Sequence, residues 1–161
     1  MKLETKVYMK KGDSMMKKIM ICLLAIVMLF SLVGCKKEQT LKDGYYTAHM
    51  DGYDFGWQEF VTICVSNGEI VTVEYNAAAE TGFIKSWDIA YMRNMNPLQG
   101  TYPNNYTRRY AAQFLEKQSS DIDIITGATS SGKNFKVLTE ALLEKAKEGD
   151  SSVAIVPYPN K

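Results

Sequence analysis

The chain has 161 residues, of which 46% are hydrophobic, and a formal net charge of +1. This length predicts a single domain, and the balanced charge gives no basic excess that would favour nucleic acid binding. The sequence contains one histidine, His49, which disfavours histidine-rich metal sites and most catalytic triads. We therefore predict neither a metal site nor a set of catalytic residues.

The N-terminal region has the layout of a secretory signal peptide. Two lysines precede an almost wholly apolar run from Ile19 to Val33, and a charged segment follows it. The run has about 15 residues, whereas a membrane-spanning helix needs roughly 20, so an uncleaved membrane anchor is the less favoured alternative. The first 14 residues do not fit this layout, and we expect the true start at Met15 or Met16. Residues 1–34 are therefore predicted to be a signal peptide.

The segment LVGC, Leu32–Cys35, resembles the lipobox of bacterial lipoproteins. In that class the cysteine is lipidated and the chain is cut before it, which implies that Cys35 anchors the mature protein to the extracytoplasmic side of the cell membrane. Residues 35–42 would then be a lipidated tether and residues 43–161 the folded domain. After Gly34 the chain contains 13 Lys and Arg against 16 Asp and Glu, a net charge of about −3.

The first half of the domain carries strand patterns. A turn at Asp43-Gly44 leads into a strand, and a glycine-rich, aromatic loop spans residues 51–57. Two alternating segments flank Asn67-Gly68, which favours a hairpin because both residues tolerate positive φ. The core-facing side chains are expected to be Val61, Ile63 and Val65 in the first strand and Val71, Val73 and Tyr75 in the second. Cys64 lies in the same pattern and is expected to be a small core residue.

The second half of the domain is mainly helical. We predict a helix around Ser86–Asn94 and, from its Pro, Gly and Asn content, a loop over residues 97–105. The four-residue spacing of Tyr106, Tyr110 and Phe114 predicts a helix from Asn105 to about Gln118. A last helix should bury Phe135, Leu138, Leu142 and Ala146 and end at Gly149.

Two short apolar segments, DIDII at 121–125 and VAIV at 153–156, are predicted strands. Because strands come first and helices later, the pattern favours an α+β fold. We expect a small single domain in which an antiparallel, hairpin-rich sheet packs with two to three helices.

The segment DIDIITGATSSGKNF, Asp121–Phe135, almost matches the phosphate-binding loop signature G-x-x-x-x-G-K-[ST]. Asn134 lacks the hydroxyl that would ligate magnesium, and too little chain follows for a doubly wound sheet, so a nucleotide hydrolase is disfavoured. A glycine-rich turn before a helix still favours a phosphate group. Four hydroxyl residues crowd this turn, with helix capping as the simpler explanation: Thr126, Thr129, Ser130 and Ser131.

Within this segment, DIITGATSS resembles the flavinylation motif D-x-x-[ST]-G-A-T of the FMN-binding domain family, and nearly the whole mature chain is similar to that family. The family includes the C subunit of the sodium-pumping NADH:quinone oxidoreductase, the G subunit of the Rnf complex and lipoproteins of extracellular electron transfer. The resemblance implies that an exported FAD:protein FMN transferase attaches FMN through its phosphate to Thr129. The other implied cofactor-binding residues are Asp123, Thr126, Gly127, Ala128, Ser130 and Ser131. Ile124 departs from the family pattern, where glycine is common.

The flat flavin ring is expected to stack on aromatic or methionine side chains, and the candidates are Trp57, Trp87, Tyr91, Met92 and Met95. The resemblance implies a membrane-anchored electron carrier, rather than an enzyme, with a quinone-linked membrane donor. The alternative is a non-redox flavin-binding sensor or a signalling lipoprotein. A hydrolase that uses Ser130 and His49 is less favoured, because it also needs an acidic partner.

Overall fold

The computed structural model describes residues 40–159 of the chain. This part contains four strands and three α-helices. The strands are β1 (Gly44–Met50), β2 (Gln58–Ser66), β3 (Glu69–Ala78) and β4 (Ala154–Val156), and the helices are α1 (Ile89–Gln99), α2 (Pro103–Lys117) and α3 (Thr129–Glu148). The predicted signal peptide and lipidation at Cys35 lie outside the described residues.

The strands form one mixed sheet in the order β3-β2-β1-β4. The β1–β2 and β2–β3 pairs are antiparallel, while β4 returns after α3 and pairs in parallel with β1. Helix α2 packs on β3, and α3 packs on β1 and β2. The predicted α+β fold with a hairpin-rich sheet is confirmed, with β4 as a parallel addition.

The β2–β3 hairpin turns at Asn67 and Gly68, which have φ values of +55° and +79°, as the sequence predicts. Along β3, however, Val65 pairs with Ile70 and Cys64 pairs with Thr72, so that Val71 is an extra residue in a β-bulge. The bulge turns Val71 outward, with 45% of its surface exposed, and places Ile70 in the core instead. The predicted core position of Val71 is therefore wrong.

Cys64 is also not a core residue, because the buried side chains of β2 are those of Val61, Ile63 and Val65. Successive residues of a strand point to opposite faces, so Cys64 lies on the face away from the helices, where it is half-buried.

The predicted helix faces of α2 and α3 are confirmed. In α2 the side chains of Tyr106, Tyr110 and Phe114 are buried, and the helix begins at Pro103, a favoured first position for proline. In α3 the buried apolar side chains are Phe135, Leu138, Leu142 and Ala146, and the helix ends before Gly149, which has a φ of +72°. These faces pack on the sheet and close the hydrophobic core.

The region before α2 differs from the prediction. A 3₁₀ turn at Lys85–Trp87 and helix α1 replace the predicted single helix, and Asp88 caps α1 by accepting a 2.9 Å hydrogen bond from the Tyr91 N–H. The loop predicted over residues 97–105 shrinks to three residues, because α1 continues through Pro97 to Gln99 and α2 already begins at Pro103. Pro97 cannot donate a helical hydrogen bond, and the helix ends two residues after it.

The segment 121–125 is not a strand, contrary to the prediction. The backbone groups of Asp123 and Ile125 bond to side chains of α2 instead of to a neighbouring strand. Gln113 accepts from the Asp123 N–H at 2.7 Å and donates to the Asp123 carbonyl at 3.2 Å, and the Tyr110 hydroxyl accepts from the Ile125 N–H at 3.0 Å. These bonds fix the entry to α3. Within residues 40–159 no helix has both the length and the hydrophobicity to cross a membrane.

Candidate functional site

Tyr110 of α2 fixes the turn that leads into α3 through two hydrogen bonds. The Tyr110 hydroxyl, which accepts from Ile125, donates to the Ala128 carbonyl at 3.0 Å. Gly132, one turn into α3, lies against the same hydroxyl, and a Cβ at this position would overlap with it. Gly132 of the apparent phosphate-loop signature therefore has a packing role, while Lys133 beside it is exposed.

Gly127 has both a backbone and a steric reason to be glycine. Its φ is +80°, a region that strains other residues, and a Cβ would overlap with the carbonyl oxygen of Gln99 at the end of α1. The glycine thus lets the turn lie directly against α1. This close contact sets the position of Ala128 and Thr129 relative to α1.

We expect Gly127→Ala to lower the free energy of unfolding more than Gly82→Ala does. Gly82 has a φ of +83° and open space around it. Because both glycines have a positive φ, an alanine at either position should lower the free energy of unfolding by about 1–2 kcal/mol. Gly127→Ala should lose at least about 1 kcal/mol more, because its Cβ meets backbone that cannot rotate away. Urea unfolding at equal m-values measures the difference. Equal losses in the two variants would contradict the close contact with Gln99.

Helix α3 begins at Thr129 with no side-chain cap. Ala128 is the N-cap residue and no side chain accepts a hydrogen bond there, so the hydroxyl cluster does not cap the helix. The N–H groups of the first helical turn have no partner within their own helix and point out of its end. Thr129 and Ser130 are exposed at this point. The helix N-terminus therefore presents donors and a hydroxyl together, with the partial positive charge of the helix dipole.

A cavity of about 500 Å³ opens beside this helix N-terminus. It lies between the turn, the 51–57 loop, α1 and the start of α3. Its lining residues are Asp54, Phe55, Trp57, Glu59, Lys85, Tyr91, Met95, Gln99, Tyr106, Gly127, Ala128, Thr129, Ser130, Ser131, Asn134 and Tyr158. This volume lies within the range of small-molecule sites, and its wall combines aromatic rings with a few polar groups.

Glu59 is a buried carboxylate in the cavity wall, on the core-facing side of β2. It accepts from the Ser131 hydroxyl at 2.9 Å and from the Tyr75 hydroxyl at 2.9 Å. The Tyr75 hydroxyl also lies 2.8 Å from the Ser131 carbonyl, so its one hydrogen is shared between two acceptors. Burial, and then the negative charge of Glu59, raise the pKa of Tyr75 and keep it a donor. This network ties the first turn of α3 to the sheet.

Aromatic side chains form another part of the cavity wall. Burial raises the pKa of Tyr91 and of Tyr106, and it raises the pKa of Tyr158 to about 12, so their hydroxyls stay protonated at neutral pH. The Tyr158 hydroxyl donates to the Trp57 carbonyl at 3.3 Å and joins the C-terminal segment to the 51–57 loop. Lys85 is the positively charged side chain among the described lining residues, and its ammonium group lies over the rings of Trp57 and Tyr91.

The predicted cofactor-binding residues divide between two places. Five of them line the cavity, and these are Gly127, Ala128, Thr129, Ser130 and Ser131. Asp123 and Thr126 lie outside it, at a separate shallow depression beside Arg109 and Gln113. The Asp123 carboxylate is largely exposed and pairs with Lys117 at 3.1 Å, so the Gln113 side chain, and not this carboxylate, orients the turn.

The predicted stacking residues also divide. Trp57, Tyr91 and Met95 line the cavity. Trp87 is 64% exposed and packs edge-on against Phe83, and Met92 faces a different depression near Tyr102. Helix α1 therefore presents only the Tyr91–Met95 side of its surface to the cavity.

The sequence reasoning missed several cavity residues, namely Glu59, Lys85, Gln99, Tyr106, Asn134 and Tyr158. Glu59 carried a usable signal, because it shares the core-facing alternation of Val61 and Ile63 and a carboxylate on a buried face needs partners. Lys85 follows no periodic pattern, and nothing in its sequence position marks it as a cavity residue.

Two alternative chemistries find no support in this geometry. His49 follows the alternation of the exposed strand face, bonds to Gln58 at 3.2 Å and does not line the cavity with Ser130. A phosphate-binding loop of a nucleotide hydrolase follows a strand, whereas residues 121–125 form none. Within residues 40–159 no three His, Cys, Asp or Glu side chains come together to hold a metal ion.

A model of the FMN-binding domain family matches residues 56–144, more than half of the chain. The chain belongs to the FMN-binding domain family. It is 32% identical over 126 residues to a 15 kDa lipoprotein of Treponema pallidum (strain Nichols), covering 77% of this chain and 89% of that protein. It is 40% identical to a Clostridium perfringens protein with a crystal structure, with a TM-score of 0.70, covering 73% of this chain and 98% of the other.

Membership of the FMN-binding domain family confirms the resemblance predicted from DIITGATSS. The matched segment contains the turn before α3, the network around Glu59 and most of the cavity wall. Asp54 and Phe55 of the 51–57 loop lie just before this segment, and Tyr158 lies in the C-terminal segment after it. The cavity is therefore mainly a feature of the FMN-binding domain itself.

Proposed function

We propose that this protein is a lipid-anchored, extracytoplasmic flavoprotein that carries FMN covalently on Thr129 and acts as an electron carrier. The observation that supports this most is the position of Thr129. Its hydroxyl-bearing side chain is exposed at the uncapped N-terminus of α3 and lines the aromatic cavity of an FMN-binding domain.

The residues present suit FMN at both of its ends. A phosphate group on Thr129 would meet the N–H groups of the first turn of α3, which no side chain caps, and the positive end of the helix dipole. A flat ring would meet the aromatic faces of Trp57 and Tyr91 and the thioether of Met95. When bound, FMN supplies the one- and two-electron redox chemistry that protein side chains lack.

Attachment would proceed by transfer from FAD, catalysed by an FAD:protein FMN transferase. The Thr129 oxygen forms a bond to the phosphorus of the FMN half, the pyrophosphate bond breaks, AMP leaves and the hydroxyl proton is released. Thr129 is exposed, and the flanking Ser130 is exposed as well, so a second protein can reach this turn. The transferase is thus one proposed partner.

Two further proposals concern the membrane. The similarity to a protein described as a lipoprotein supports an anchor, and Cys35 in LVGC is the residue that would carry the lipid. Anchored in this way, the domain would receive electrons from a quinone-linked membrane donor.

If Cys35 carries the lipid, radiolabelled fatty acid should be incorporated into the wild-type protein and not into a Cys35→Ala variant.

We expect the flavinylated protein to show a reversible flavin couple in protein-film voltammetry. The protein is first incubated with transferase, FAD and magnesium until its mass has increased by FMN less one water. An electron carrier must take up and return electrons without loss of the cofactor, so repeated cycles should give the same midpoint potential. A protein that gains FMN but gives no reversible couple would favour the alternative, a non-redox flavin-binding sensor.

A further inference from the structure

Lys85 is the cationic side chain among the described residues that line the cavity. It begins the 3₁₀ turn that follows the isolated bridge between Ala78 and Ile84, and it is half-buried. Its Nζ lies 5.6 Å from the ring centroid of Trp57 and 5.1 Å from the ring centroid of Tyr91. Both distances are within the range of cation–π contacts.

Within residues 40–159, no carboxylate forms an ion pair with the ammonium group of Lys85. The ion pairs found within residues 40–159 are formed by Arg108, Lys117, Lys145 and Lys147. Burial lowers the pKa of Lys85, and the more distant charges of Glu59 and Asp54 offset this only in part. A partly desolvated cation without hydrogen-bond acceptors is unfavourable, so Lys85 has donors available for an acceptor that a ligand brings.

The position of Lys85 indicates which part of a ligand it meets. Trp57 and Tyr91 provide the aromatic surfaces suited to a flat ring, and the Lys85 ammonium lies over one face of each, so a ring held at this wall would lie next to the ammonium. A phosphate has its own site in the proposed function, at Thr129 and the N–H groups of α3. An isoalloxazine ring has carbonyl and nitrogen acceptors along one edge, and its reduced anion carries negative charge at that edge.

We infer that Lys85 contacts the flavin ring and raises its reduction potential by stabilising the negative charge of the reduced form. This inference rests on the proposed function, because it requires FMN in the cavity. In the step concerned, the ring takes up two electrons and one proton and becomes an anion with one negative charge. The electrons come from the membrane donor, or from the electrode in the experiment below. Lys85 forms no covalent bond and stays an ammonium throughout.

The experiment compares the midpoint potentials of FMN-loaded variants at one pH. Lys85→Met removes the charge but keeps the length of the side chain, Lys85→Arg keeps the charge, and Lys85→Gln is a second neutral variant should the Met variant not fold. The matched control is Lys133→Met, because Lys133 is exposed near the start of α3 and does not line the cavity. Mass spectrometry confirms complete loading before each measurement.

We expect Lys85→Met to favour the oxidised form at least tenfold, which for a two-electron couple lowers the midpoint potential by about 30 mV. Lys85→Arg should retain most of the wild-type potential, and Lys133→Met should match it. Thermal unfolding of the unloaded proteins should show no large loss of stability in Lys85→Met, because removal of a partly desolvated charge offsets the loss of the two cation–π contacts. A merely structural lysine would change stability and leave the potential unchanged.

A fully loaded Lys85→Met protein with the wild-type potential would overturn the inference and leave the proposed function intact. Reduced loading with an unchanged potential would also overturn it and would assign Lys85 to the phosphate end of FMN. A wild-type protein that never acquires FMN contradicts the proposed function itself, and the inference then fails with it.

Discussion

Thr129→Ala is expected to abolish covalent attachment of FMN. The phosphoester needs an oxygen nucleophile at the exposed start of α3, and alanine has none, so no gain of FMN mass should occur with transferase, FAD and magnesium. The fold should remain, because the Thr129 side chain is exposed and does not cap the helix. We expect a loss of covalent flavin to below the detection limit of intact mass spectrometry, together with an unfolding curve close to that of the wild type.

Ser130→Ala is the matched control for this variant. Ser130 is the next residue of α3, is also exposed and lines the same cavity, but it lies outside the D-x-x-[ST]-G-A-T motif. It should therefore gain FMN as the wild type does. Thr129→Ser keeps a hydroxyl at the same position and should retain some attachment. Loss of attachment in Ser130→Ala and not in Thr129→Ala would transfer the acceptor role to Ser130.

Phe135→Ala is expected to have the largest effect on stability, about 3–5 kcal/mol in the free energy of unfolding. Phe135 is fully buried. The centroid of its ring lies 5.7 Å from that of Tyr110, 4.7 Å from that of Tyr75 and 5.8 Å from that of Phe114. Its removal leaves a cavity among these rings. Because native domains are stable by only about 5–15 kcal/mol, this loss is a large fraction of the total.

The same substitution should loosen the turn before α3. Tyr110 holds the Ala128 carbonyl and Tyr75 reaches the Ser131 carbonyl, and Phe135 packs against both rings. Phe83→Ala is the control, because Phe83 is 44% exposed and its ring contact is with Trp87 at the surface. Urea unfolding should show a loss below about 1 kcal/mol for the control. A loss of similar size in both variants would contradict the role of Phe135 in the core.

The parts of the fold that local pattern determines could be predicted from the sequence. Asn67-Gly68 fixed the hairpin because few residue pairs accept two positive φ values, and the spacing of Tyr106, Tyr110 and Phe114 fixed the buried face of α2. The bulge at Val71 could not be predicted, since it depends on how β3 pairs with β2. The DIDII segment looked like a strand because it is a short apolar run, but only Ile122 and Ile125 are buried, and side chains of α2 bond to the backbone of Asp123 and Ile125.

The candidate site could also be predicted from the sequence only where its residues are contiguous in the chain. The DIITGATSS motif located the turn and the candidate acceptor, because this information is contiguous in the chain. The wall of the cavity comes from β2, the 3₁₀ turn, α1 and the C-terminal segment, so Lys85 and Tyr158 reach it only through the tertiary fold. The fold places the residues of the motif in two different environments. Gly127 and Thr129 line the cavity, whereas Asp123 faces solvent beside Lys117.

The central claim is that Thr129 carries FMN, and peptide mapping of the flavinylated wild-type protein tests it most directly. The protein is loaded by the transferase, digested and analysed by tandem mass spectrometry. We predict that FMN less one water is found on the peptide that contains the start of α3, with fragment ions that place it on Thr129. FMN on any other residue, or no covalent FMN after complete reaction of a known flavinylated protein in the same mixture, would contradict the claim.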